Sequence, residues 1–240
     1  MSRLSFSTLL LVVLPSVLAA PAIAPRTSVC GTAAGSPLSD FAVPVNKGFN
    51  VTKLPIASDG LVLKIVTLGR GTQNYTCASD DSSAAPVSVG AVATLYDTSD
   101  LLTKLGQDYL NILTRYAVLT GAGPATRNAV LAPPLTTTPV AGKHFFDAKG
   151  VPTFDLSCSG KGLLHGKKLA DVKAPKDSAT GQSGEAAVDW LELGDAGGST
   201  GVTQVFRVQT AGGSPPKTCK DQKANIEVQY SAQYWFFGPE

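Results

Sequence analysis

The sequence predicts an all-β protein: an antiparallel β-sandwich with one inserted α-helix around 99–118, or a closed β-barrel as the alternative. Three observations predict it. Alternating or β-branched apolar runs recur along the chain, bounded by glycine, proline and polar turns. A single stretch carries the three- and four-residue spacing of a helix. The four cysteines lie far apart with no C-x-x-C pair, the pattern of a cross-linked exported domain rather than a metal or thioredoxin-type motif.

The elements follow in order. Arg3, the apolar run Leu9-Leu10-Leu11-Val12-Val13-Leu14, the breaker Pro15 and the small residues Val17-Leu18-Ala19 have the plan of a secretory signal. We assign residues 1–19 to it, with cleavage after Ala19. The apolar run is far short of the roughly 20 residues needed to span a bilayer, and no later segment is apolar for long enough to cross one. Residues 20–53, rich in Ala, Pro, Ser and Thr, read as an extended arm, and 54–240 as one domain. Leu61–Leu68 reads as a strand, Gly69-Arg70-Gly71 as a turn, Thr72–Cys77 as the next strand and Ala91–Tyr96 as a third. Leu102, Leu105, Tyr109, Ile112, Leu113 and Tyr116 place the helix, which Gly121-Ala122-Gly123-Pro124 ends. Later strands are expected at Lys143–Asp147, Thr153–Ser157, Ala187–Leu193, Val202–Thr210 and Ile226–Phe237. In the last, Tyr230, Tyr234 and Phe236 share a face. Lys161, Lys167, Lys168, Lys173 and Lys176 read as a solvated loop.

Charge points to no particular partner. Lys and Arg number 20 against 18 Asp and Glu, which gives no reason to expect nucleic acid or an acidic membrane surface. With export, the chain is expected to be secreted, extracellular or in the cell wall, with two disulfides. Three pairings of Cys30, Cys77, Cys158 and Cys219 are open. The sequons at Asn50 and Asn74 are glycosylation candidates on the same route.

No cofactor motif is evident. A metal would have to use His144, Asp147 and His165, since imidazole and carboxylate suit zinc or copper; a strand histidine bonded to a neighbour is the simpler account. Hydrolysis would need Ser157 or Ser159 beside a histidine. For binding, Tyr75, Trp190, Trp235, Tyr230 and Tyr234 are aromatic platforms unless they are core. Gln73, His144, Asp155 and Arg207 are the polar motif residues to inspect for a shared pocket. The candidate ligand-binding set is therefore Gln73, Tyr75, His144, Asp155, Trp190 and Arg207. The expected role is binding or structural, with cell-wall polysaccharide or an extracellular protein as partner. A secreted hydrolase or metal-dependent enzyme is the alternative.

Several segments together carry a resemblance: Leu68–Cys77, Gly90–Asp97, Gly142–Phe146, Asp189-Trp190-Leu191, Val205–Gly213 and Tyr230–Phe237. Over roughly residues 54–238 the chain resembles DUF3455, an uncharacterised family of secreted proteins, in its fungal branch. The resemblance implies export and a role at the fungal surface. Cys77 and Cys219 sit in family-like motifs, Tyr-x-Cys and Gly-Gly-x-Pro-x-x-x-Cys, and the resemblance implies Cys77–Cys219 and, by remainder, Cys30–Cys158. Phe154 stands where relatives often carry tryptophan, and Asp155-Leu156-Ser157 where many bacterial relatives read Asp-Gly-Ser. Fungal members often carry the label malate dehydrogenase. The glycines Gly121, Gly123, Gly160 and Gly162 do not form a dinucleotide turn, because each pair lacks the third glycine and neither opens a βαβ unit.

Overall fold

A computed structural model describes residues 30–31, 37–44, 54–55, 57–78, 83–120 and 137–240. The proposed signal peptide and Asn50 lie outside these residues. The strands are β1 (Leu61–Thr76), β2 (Val87–Asp97), β3 (Val140–Phe146), β4 (Pro152–Asp155), β5 (Leu163–Val172), β6 (Trp190–Asp195), β7 (Gln204–Gly212) and β8 (Asn225–Pro239), with α1 (Ser99–Ala117) between β2 and β3. Each strand pairs antiparallel with the next, and β8 pairs back onto β1, so the sheet closes as a barrel. The mainly β, antiparallel class therefore holds, and of the two arrangements the strands adopt the closed one. The closing seam is long, running from Leu61↔Pro239 to Thr76↔Asn225. Closure leaves no unpaired edge between the first and last strands.

Two apolar cores lie on the two faces of this one sheet. Ile65, Ala93, Leu95, Phe154, Leu164, Leu193, Val205, Tyr230, Tyr234 and Phe236 fill the barrel. On the outside, Val66, Leu68, Trp190, Phe206, Val208, Trp235 and Phe237 meet Leu102, Leu110, Leu113 and Ala117 of α1. Strands β1, β7 and β8 are thus covered on both faces, which is why they read as nearly continuous apolar runs. The helix is anchored at its start, where Thr98 N–H and Oγ1–H both donate to Val66 O at 2.9 and 3.1 Å. Along its length Gln233, fully buried, accepts from Gln107 Nε2 and donates to Asn111 Oδ1, each at 3.0 Å.

Three sequence expectations need correction. Gly69-Arg70-Gly71 is not a turn, because β1 runs straight through it. A Cβ on Gly69 would press into the Tyr234 ring, and one on Gly71 into the Val92 carbonyl. The two glycines face the barrel interior and give it room. Next, the lysine-rich stretch is a loop only in part: Lys161, Lys173 and Lys176 lie outside the strands, but Lys167 and Lys168 stand exposed on β5, whose Leu164 points inward. Finally, the helical stripe is out of phase. Gly106 (φ 80°) breaks the helix, leaving Leu105, Ile112 and Tyr116 more than half exposed while Leu110, Leu113 and Ala117 face the sheet.

Gly69 supports a direct test. Tyr234 cannot swing aside, since its hydroxyl lies 2.8 Å from that of Tyr230. Gly69→Ala is expected to lower the urea midpoint by the equivalent of about 1–3 kcal/mol, the usual overpacking range. An unchanged midpoint would mean the ring is free to move.

Candidate functional site

Polar side chains gather inside the barrel at the end where β1, β3 and β7 finish and β8 begins. The period-2 pleat of β1 turns Gln73 and Tyr75 inward with Gly69 and Gly71. His144 comes from β3, opposite Ala93 and Phe154, and Arg207 from β7, opposite Leu191 and Tyr234. Tyr230 and Tyr234 come from β8. Gly213 marks the meeting point: its φ is +96°, and a Cβ there would lie 2.8 Å from Tyr230 Cβ and 3.2 Å from Gln73 Cγ.

The bonds are specific. Tyr75 Oη donates to Gly213 O at 2.7 Å. His144 Nδ1 lies 3.0 Å from Thr153 O, and its ring stacks on Phe154 with centroids 4.1 Å apart. Because the partner is a carbonyl, Nδ1 carries the proton. Arg207 Nη2 donates to Asp189 O at 2.9 Å. The Nε of Arg207 and the Nε2 of Gln73 are buried and have no hydrogen-bond partner.

Burial sets the protonation of this cluster. It pushes the Tyr75 phenol up to about 12, opposed by Arg207. Burial likewise raises Tyr230 well above the ordinary range and raises Tyr234. It drives His144 down to about 4; the Thr153 carbonyl opposes that shift and Arg207 adds to it. At neutral pH the imidazole and phenols are therefore uncharged around one buried guanidinium.

A pH effect follows from His144. An unfolded histidine takes up a proton near 6.5, whereas the folded one resists until about 4. Stability is therefore full above pH 6.5 and falls as pH drops toward 4, by about 3 kcal/mol from this group. Asp147, Asp155 and Asp195, all held below the usual carboxylate range, act lower. Chemical denaturation at stepped pH should show the 6.5-to-4 slope in the wild type and lose most of it in His144→Phe.

Of the six candidates, Gln73, Tyr75, His144 and Arg207 converge, and two do not. Asp155 is on the outside, where its carboxylate accepts from Ser157 N at 3.0 Å. Trp190 is buried between the sheet and α1. His165 is displaced by one residue from the inward Leu164, so it faces away from His144, and its Nδ1 lies 3.4 Å from Thr153 Oγ1. The Asp147 carboxylate caps its own turn, accepting from Lys149 N and Val151 N. Among the described residues no group of three His, Cys, Asp or Glu is placed to hold a metal. Ser159 Oγ donates to Leu156 O within a short turn. The half-buried Asn74 lies within β1, with its Oδ1 buried and unpartnered.

Sequence reasoning missed two features. Gly197-Gly198-Ser199-Thr200-Gly201 fits the Gly-x-Ser-x-Gly string of hydrolases. It joins two strands rather than a strand to a helix, and Ser199 Oγ donates to Asp195 Oδ1 at 2.5 Å while accepting from His165 N. The other is the Tyr230–Tyr234 hydroxyl pair, for which the shared face of the two tyrosines was the available signal.

Neither a curated protein nor a solved structure matches the chain significantly. A family model described as a protein of unknown function, DUF3455, matches residues 57–238. That span takes in the barrel from before β1 nearly to the end of β8, with the converging cluster inside it, and the chain belongs to the DUF3455 family.

Proposed function

We infer that the protein works outside the cell as a binding protein whose binding end is the barrel mouth above the polar cluster. The observation that carries this is the convergence of Gln73, Tyr75, His144 and Arg207 from three strands at one end of the barrel. The rim there offers apolar surface. Val87 and Val89 are more than half exposed at the start of β2, and Phe146 stands at the end of β3, 38 % exposed and beside Gly90. Export is supported by the two disulfides, Cys30–Cys158 and Cys77–Cys219, which join distant parts of the chain. Among the described residues no helix is long and apolar enough to cross a membrane.

The partner we favour is cell-wall polysaccharide or an extracellular protein, met through the aromatic rim at Phe146. The test is co-sedimentation of purified mature protein with insoluble wall polymers, and pull-down of secreted proteins. Retention on one polymer or protein, reduced several-fold by Phe146→Ala, is the expected result. Retention that Phe146→Ala leaves unchanged, or none at all, would end the assignment of the rim.

A further inference from the structure

Two hydrogen-bond donors of the interior cluster are left without an acceptor at bonding distance. Tyr75 and His144 spend their protons on the Gly213 and Thr153 carbonyls. Tyr230 and Tyr234 hold two hydroxyl protons between them, and their mutual bond at 2.8 Å uses one. Arg207 directs Nη2 at the Asp189 carbonyl, and the Arg207 and Gln73 side chains approach the Tyr234 and Tyr230 hydroxyls, yet neither the Arg207 Nε–H nor the Gln73 Nε2 reaches an acceptor in hydrogen-bond geometry. Arg207 is 9 % exposed and Gln73 6 %. No carboxylate is bonded to this guanidinium; the nearby Asp189 carboxylate is held by Lys173 Nζ at 2.9 Å, on the outer side. The phenols and imidazole around it are uncharged at neutral pH. A buried, unpaired cation with idle donors beside it is the arrangement that an acceptor of negative charge relieves.

We propose that this end of the barrel binds a small monovalent anion, a halide or a short carboxylate, between the Arg207 Nε–H, the Gln73 amide and the Tyr230–Tyr234 hydroxyl pair. Phe154, Tyr230, Tyr234 and Phe236, each at most 1 % exposed, wall this end of the barrel, so the proposal is limited to an anion of a few atoms. The site is independent of whatever partner meets the rim.

The experiment uses the oxidised mature chain at pH 7 and constant ionic strength, with chloride, formate or gluconate as the anion. The melting temperature is expected to rise with the logarithm of chloride or formate concentration, but not with gluconate, which is too large. The stronger of the two responses names the halide or the carboxylate. Gln73→Met removes one donor and is expected to weaken the fitted Kd about tenfold. A bromide-soaked crystal should show an anomalous peak within hydrogen-bond distance of Arg207 Nε. Identical melting in all three salts, an equal anion response in Gln73→Met, or a water in place of the anomalous peak would overturn the proposal. Arg207→Met should abolish the salt response if it folds, and a persisting response would overturn it equally. If that variant does not fold, the crystal and Gln73→Met decide.

Discussion

Replacing Cys77 and Cys219 together by alanine is expected to remove about 5 kcal/mol of stability, the chain-entropy value for a loop of this length. The two cysteines are 142 residues apart in sequence. Their bond ties the β1–β2 loop to the β7–β8 loop, beside the hydrogen bonds Cys77 N–Ala224 O and Cys219 N–Ala84 O. Those two loops flank the seam where the last strand closes on the first. In the unfolded chain the bond prevents β1 and β8 from separating, so the entropy of bringing them together is largely removed in advance. A domain of this size holds about 5–15 kcal/mol in all, so the double variant should lose between a third and the whole of its stability. Guanidinium titration followed by tryptophan fluorescence measures it. A midpoint within error of the wild type would show that the closing seam needs no cross-link. The Cys30–Cys158 bond closes a loop that overlaps this one, so the two losses should not add.

Trp235→Ala is expected to cost about 3–5 kcal/mol, the range for truncating a fully buried aromatic. Trp235 is 0 % exposed on the outer face of β8, between Val66 of β1 and Phe206 of β7. It belongs to the cluster that receives Leu102, Leu110 and Leu113 of α1. Its Nε1–H donates to Gln233 Oε1 at 3.2 Å, and Gln233 in turn bonds Asn111 and Thr114 of the helix. Removing the indole therefore opens a cavity and loosens the polar seam under α1. The Gly106 break leaves the helix little stability of its own. We expect its circular-dichroism signal to melt earlier than that of the barrel in this variant. Loss of both signals in one transition at an unchanged temperature would contradict that order.

The fold and the site were legible to different degrees. Strand by strand, apolar alternation located β2, β3, β4, β6, β7 and β8 to within a few residues, because those strands alternate or are buried on both faces. It failed where a strand's outer face is charged, as with Lys167 and Lys168 of β5, since solvated lysines look the same on a strand and on a loop. It failed again at Gly69 and Gly71, because glycine serves a turn and a crowded barrel interior equally well. For the site, the motifs that carry the family resemblance were enough to single out Gln73, Tyr75, His144 and Arg207. The same reasoning also chose Asp155 and Trp190, which the pleat turns outward.

The sequence by itself determined a mainly β chain with one helix, cysteines spaced for long-range cross-links and a short list of polar residues worth watching. These are local properties, written in period, residue type and spacing. Only the tertiary structure decided that the sheet closes, that Gly106 shifts the helix phase, and that one guanidinium ends buried among neutral donors. Those outcomes depend on which strand lies beside which, and pairing between residues as far apart as Gly71 and Tyr230 leaves no mark on the neighbours of either.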